Sequence, residues 1–251
     1  MKRLFAILFS VFFIACASVC IASDFVIFSG AGLIKPMEEM RTNFEKKQNI
    51  VADVHYGNPS EIFAAFAAGQ PCDLLILGDE KYTEDALKNG WVIGDTITEL
   101  VLHVPVIAVP KGNPAGIKGF MDLKRAGVRV AIGDPEAPAI GLVAKEMLQK
   151  AGIWEQVTEN IKVYAPTVNQ LLTCVALKQV DAAIIWGDLV TWDEGKGKLD
   201  VVKIEKKYNI IMTIPTAVCT QAKNKTIANR FIEYLSSDDG MLIWEKWGFR
   251  P

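Results

Sequence analysis

From residue 25 onward, short apolar runs alternate with amphipathic segments almost to the C-terminus. That alternation limits the fold more than any other feature. The apolar runs predict strands at Phe25–Phe28, Val51–Tyr56, Asp73–Leu77, Val104–Val109, Val128–Ile132, Lys162–Tyr164, Ala182–Trp186, Val201–Lys203 and Thr216–Thr220. Helical periodicity predicts helices at Leu33–Lys47, Pro59–Ala68, Glu80–Asn89, Phe120–Arg125, Ile140–Ala151, Val168–Lys178 and Lys225–Leu235, with a last one at Asp239–Trp247 before Gly248. A parallel strand pair needs a crossover, usually a helix. The pattern therefore predicts an α/β chain with mixed, mainly parallel sheets and helices on both faces.

Two stretches interrupt the rhythm. The strand Val104–Val109 ends in Pro110-Lys111-Gly112-Asn113-Pro114, and Thr216–Thr220 follows the polar run Glu205–Asn209. Two such extended stretches could carry the chain from one lobe to another and back. The expected division is a first lobe of 24–105 plus 217–251 and a second of 106–216, with a ligand cleft between them.

The chain opens Met1-Lys2-Arg3, runs apolar from Leu4 to Ile21, and reaches small residues at Ala22-Ser23. That order predicts a signal peptide over 1–23 and a periplasmic protein. Phe13-Ile14-Ala15-Cys16 matches a lipobox poorly at its first two positions, so a lipid anchor is the lesser alternative. Cleavage removes Lys2 and Arg3 and no acid, taking the formal charge from −2 to −4, 25 basic against 29 acidic residues. A mildly acidic chain is a poor partner for nucleic acid or anionic membranes.

Cys16 and Cys20 fall in the signal, which leaves Cys72, Cys174 and Cys219. Three thiols cannot all pair internally. Each sits in an apolar or strand-like context and reads as a buried small hydrophobe. One disulfide among them stays open, as an oxidising compartment would permit. No C-x-x-C occurs, so neither a thioredoxin-like site nor a structural zinc knuckle is supported.

Ligands of open α/β sheets bind beyond the carboxyl ends of strands, which directs attention to the strand-to-helix turns. Gly133-Asp134-Pro135-Glu136-Ala137-Pro138-Ala139-Ile140-Gly141 joins a strand to a helix whose first N–H groups point outward, a place for an anion. In Tyr56-Gly57-Asn58-Pro59-Ser60-Glu61, Asn58 is an N-cap, Pro59 suits the first helical position and Glu61 completes a capping box. Ala165-Pro166-Thr167-Val168-Asn169-Gln170 has the same design, with Thr167 capping and Gln170 reaching back. In Phe28-Ser29-Gly30-Ala31-Gly32-Leu33, two glycines and an alanine leave the backbone open to close approach. This run lacks the endings of a phosphate-binding Walker loop or a dinucleotide fingerprint. Each turn alone is explained by plain capping; their repetition points to a ligand. Trp186 ends another strand, as cleft wall or as an indole donor. Neutral donors of this kind suit a small, fully ionised oxyanion.

Gly133-Asp134-Pro135-Glu136 with Ala144-Lys145-Glu146, the segment Ala68-Gly69-Gln70-Pro71-Cys72-Asp73-Leu74, and the tail from Tyr234-Leu235 to Gly248-Phe249 resemble the periplasmic molybdate-binding proteins of ABC importers. The resemblance spans nearly the whole mature chain. It implies a two-lobed periplasmic-binding-protein fold closing on a tetrahedral oxyanion, no cofactor, a monomer, and ABC permease subunits as partners. It also implies ligand contacts in five places. A family serine falls on Gly32, with Ser29 a nearby substitute. A second falls on Pro59 or, with a one-residue shift, Ser60, beside Asn58. Backbone N–H groups fall on Ile140 and Val168, and a family tyrosine falls on Trp186. The side-chain positions depart from the family, which leaves open another small anion or polar metabolite as ligand. An enzyme is disfavoured: His55 and His103 are the only histidines, and no H-E-x-x-H or G-x-S-x-G occurs.

Overall fold

The strand β1 (Phe25–Gly30) runs between β2 (Ala52–Gly57) and β3 (Leu74–Ile76), both parallel to it. Past β3 comes β10 (Met212–Val218), antiparallel, and then β4 (Thr98–His103), antiparallel to β10, which completes a five-stranded sheet. The computed structural model describes residues 23–136 and 139–250. Apart from Ser23, the expected signal peptide lies outside the described residues, as do Ala137 and Pro138 of the Gly/Pro-rich turn. No helix among the described residues is long and apolar enough to cross a membrane.

A second sheet repeats the plan. Here β6 (Val130–Gly133) lies between β7 (Ile161–Ala165) and β8 (Ala182–Trp186), both parallel. Then come β5 (Pro105–Pro110), antiparallel to β8, and β9 (Leu199–Val202), antiparallel to β5. Two of the four pairings in each sheet are thus antiparallel. In each sheet one strand, β10 or β5, runs against the other four, and the chain passes between the sheets from β4 into β5 through Val104 and from β9 through 203–211 into β10. Antiparallel strands need no crossover helix to pair.

The helices supply the crossovers. Helix α1 (Ile34–Gln48) joins β1 to β2, α2 (Pro59–Ala67) joins β2 to β3, and α3 (Glu80–Lys88) follows β3. Helices α4 (Ala139–Lys150) and α5 (Trp154–Asn160) join β6 to β7, α6 (Val168–Ala176) joins β7 to β8, and α7 (Lys225–Leu235) and α8 (Asp238–Lys246) follow β10. The expected helix at Phe120–Arg125 is a five-residue 3-10 turn, Phe120–Lys124. Confined between Gly119 and Gly127, it is too short to reward α-helix nucleation.

Alternation along β1 shows how the sheet divides its core. Phe25 and Ile27 face α1, α7 and α8, where Met37, Met40 and Phe44 of α1 meet Phe231 and Trp244. The three α1 residues are spaced three and four apart, so one helix face is buried. Phe44 and Phe231 stand edge to face at 4.8 Å. Asn49, at φ 55°, ends α1 in the left-handed conformation. On the other face of the sheet, Phe28 packs with Ile62 and Phe66 of α2, Leu75, Cys72 and Cys219. The second sheet has one continuous core, and every residue of β5 and β8 is buried. Each fully buried aliphatic or aromatic side chain contributes about 1.5–3 kcal/mol before entropy is charged against it.

Candidate functional site

The carboxyl ends of the parallel strands of both sheets face one another across a cavity of about 330 Å³. The first half contributes Gly30 to Leu33, Gly57 to Pro59 and Glu61, with Leu77 and Gly78 after β3. The second half contributes Ala139, the run Pro166 to Asn169, and Trp186. His103, at the passage from β4 to β5, completes the wall. No lysine or arginine is among these wall residues; Glu61 and His103 are the ionisable ones.

At the first turn, a Cβ on Gly30 would stand 2.7 Å from the Leu77 carbonyl oxygen, closer than side chains tolerate, so this position must be glycine. Gly32 is different: nothing lies within 4 Å of its virtual Cβ, and a hydroxyl there would project into open space. Ser29 is fully buried, and its hydroxyl donates to the Gly30 carbonyl at 3.4 Å. The side chain expected to stand in for the missing hydroxyl is turned into the sheet, because the strand alternation that brings Gly30 to the wall takes Ser29 away from it.

The start of α2 is a full capping box. The Glu61 N–H donates to Asn58 Oδ1 at 3.0 Å, and the Asn58 N–H donates to Glu61 Oε2 at 2.8 Å. Pro59 has no N–H, so within this turn the Ser60 N–H is the group left over. Asn58 and Pro59 reach the wall; the Ser60 side chain is exposed outside it. At α6 the Gln170 N–H donates to Thr167 Oγ1 at 3.2 Å. The expected return bond from the Gln170 side chain is not made among the described residues. The N–H groups of Val168 and Asn169, both wall residues, have no helical partner in this first turn.

At α4, Ile140 is fully buried and Ala139 is the wall residue. The helix start presses on the turn before it: a Cβ on Gly141 would lie 2.3 Å from the Asp134 carbonyl oxygen. The Asp134 carboxylate accepts from the Glu136 N–H at 3.0 Å and so serves inside the turn. Tyr56 is not on the wall; its hydroxyl donates to Glu38 at 2.8 Å. Burial, and after it Glu38, pushes that phenol far up, while the Arg41 guanidinium holds the Glu38 carboxyl down.

Trp186 is 3% exposed and stacks on His103, with ring centroids 3.7 Å apart and planes at 18°. With its proton on Nε2, His103 donates to Asp188 Oδ1 at 3.1 Å, and its Nδ1 lies 3.4 Å from the Gly78 carbonyl oxygen. One side chain thus touches both halves: Gly78 belongs to the first, Trp186 and Asp188 to the second. Asp188 is buried, and its Oδ2 has no partner among the described residues. Beside Gly78, Asp79 caps α3 through the Lys81 N–H, and burial raises its carboxyl above the ordinary value.

Of the residues singled out by sequence, Gly32, Asn58, Val168 and Trp186 meet at the cavity wall; Ser29, Ser60 and Ile140 are not among the wall side chains. His103, Leu77 and Gly78 were missed. His103 did leave a signal, as an ionisable side chain inside the otherwise apolar run Leu100 to Val109.

A family profile described as bacterial extracellular solute-binding protein matches residues 25–250. The chain belongs to this family. Among its relatives is the candidate ABC transporter substrate-binding lipoprotein YvgL of Bacillus subtilis, 29% identical over 85% of this chain and 81% of its own length. The molybdate-binding protein ModA of Escherichia coli is 28% identical over 89% of this chain and 87% of its own. In structure, the chain resembles the substrate-binding domain of a candidate molybdenum ABC transporter from Clostridium difficile, with a TM-score of 0.76 and 25% identity over 90% of this chain and 97% of that one. The two-lobed α/β fold expected from sequence is thus the fold of this solute-binding protein.

Proposed function

We propose that this chain is the extracytoplasmic receptor of an ABC importer and that its cleft takes a small tetrahedral oxyanion of the molybdate and tungstate class. The observation that carries the reading is the donor set: three helix starts and a glycine-lined turn converge on a cavity whose wall holds no lysine or arginine among the described residues. A fully ionised oxyanion presents only acceptors, and helix N-termini stabilise its charge without a formal counter-charge. The proposed donors are the N–H groups of Gly32, Ser60, Ile140 and Val168, the Asn58 amide and the Trp186 indole. A division of the chain after the 1–23 signal into 24–105 plus 217–251 and 106–216 would put these donors on two lobes. Binding would then favour the closed arrangement, and a permease would read closure. The proposed receptor is a periplasmic monomer.

A second reading is favoured by the cavity itself. About 330 Å³ lies within the range of sites that hold organic ligands, and Gly32 and Trp186 stand where the family resemblance would place a serine and a tyrosine hydroxyl. A small organic anion would use the same helix starts. Titration calorimetry of the mature protein with molybdate, tungstate, sulfate and thiosulfate tests the first reading: heat with molybdate or tungstate is expected, and silence with all four overturns it. A thermal-shift panel of small carboxylates and phosphate esters tests the second. A ligand at 100 times its Kd should stabilise by about 2.7 kcal/mol, a rise in Tm of roughly 5–10 °C for a chain of this size.

A further inference from the structure

Cys72 and Cys219 are 147 positions apart, yet their sulfurs are 3.1 Å apart. Both side chains are buried, at 1% and 0% exposed. Cys72 stands just before β3 and Cys219 just after β10, where these strands pair antiparallel with Val218 opposite Leu74. The Cys219 N–H donates to the Asp73 carbonyl at 2.9 Å, so the backbone around the pair is already fixed. A disulfide needs about 2.05 Å between sulfurs; side-chain rotation alone has about 1 Å left to close. The third cysteine, Cys174, is buried in α6 of the second half, so the choice of partner is unambiguous.

We propose that Cys72 and Cys219 form a structural disulfide, made by exchange with a disulfide-bearing thiol oxidant of the extracytoplasmic compartment. One cysteine thiolate attacks a sulfur of the oxidant's disulfide, forming a mixed disulfide and releasing one oxidant thiolate. The second cysteine thiolate attacks the first cysteine's sulfur in the mixed disulfide, forming the new bond and releasing the other oxidant thiolate. The two cysteines lose two electrons and two protons; the oxidant gains the electrons and leaves as a dithiol. The family's extracellular setting is one where such bonds persist. In the folded chain, the contact with Cys72 and burial both push the Cys219 thiol up, so exchange belongs to the chain before β10 docks on β3. The bond would fasten the strand that returns from the second half to β3, whose end at Leu77 and Gly78 reaches the cavity. The sulfurs themselves are not on the cavity wall.

The test is the exported, leader-processed protein purified without reductant, unfolded in the presence of an alkylating agent and mapped by non-reducing peptide mass spectrometry. A cross-linked peptide pair containing Cys72 and Cys219 is expected, with Cys174 alone alkylated. Three alkylated cysteines, or a cross-link that includes Cys174, overturns the proposal. The oxidised protein should melt about 10 °C above a Cys72→Ala/Cys219→Ala variant, since the closed loop is long. Equal melting temperatures overturn the structural role. Because the mapping is done on the unaltered chain, the test stands even if the variant fails to fold, and it is independent of which ligand the cleft takes.

Discussion

Both halves build a five-stranded sheet in which four strands run one way and one, β10 or β5, runs against them, but they meet the cavity with different chemistry. The first half presents bare backbone: Gly30, which sterics require, Gly32, which they do not, and a helix start whose capping box consumes two of its own N–H groups. The second half presents an incomplete cap at Thr167, which leaves more N–H groups free, and an aromatic slab at Trp186. A shared strand plan therefore fixes where donors stand while leaving their number and shape to local residues. Selectivity can change in such a scaffold without disturbing the fold.

The largest expected effect lies where the halves join. His103→Ala removes the partner of a buried carboxylate and the stack on Trp186, and should cost about 4 kcal/mol. His55, on β2, has a side chain 51% exposed beside Asp53, and His55→Ala should cost under about 0.5 kcal/mol. Urea denaturation reads both; similar costs would show that the junction histidine carries no structural load. Next come two glycines, one in each half. Gly141→Ala drives a Cβ into the Asp134 carbonyl and should cost about 3 kcal/mol, whereas Gly32→Ser should fold as well as the parent. The same Gly32→Ser variant should bind a tetrahedral oxyanion about tenfold more tightly, one added hydrogen bond to a charged ligand. Unchanged calorimetric affinity would remove Gly32 from the proposed contacts. The smallest effect compares the two caps. Glu61→Ala deletes the return bond of the box at α2 and should cost about 1 kcal/mol. Gln170→Ala, whose side chain makes no such bond among the described residues, should leave the unfolding midpoint unmoved.

Most of the parallel core was legible because its signals are local. Short strand-like runs mark β1 to β3 and β6 to β8, and all but β8 lead into a helix of more than eight residues. The strand β4 was missed because Thr98–His103 runs straight into the apolar β5, so that periodicity saw one strand where the chain crosses between sheets. Helix α5 was missed because its seven residues bury only Val157 and Asn160 and its N-cap position is Ile153, which offers no capping oxygen. The strand β10 begins at Met212, earlier than expected from Thr216, since Pro215 and a register shift beside it disguise the run. The cavity was legible as a set of turns, because caps are written in three or four adjacent residues. His103 and the Cys72–Cys219 contact were not, because each depends on residues brought together from more than 80 positions away.

The return of the chain to its first sheet has a consequence for how the molecule must be assembled. In a chain delivered N-terminus first, β3 can pair with β1 early, but its other side stays an open edge from Ile76 until Met212 arrives. The second sheet, all of whose strands lie between Pro105 and Val202, can finish in that interval. The earliest-made sheet is therefore the last to be sealed, and its unpaired backbone is the surface most open to wrong partners while the molecule waits.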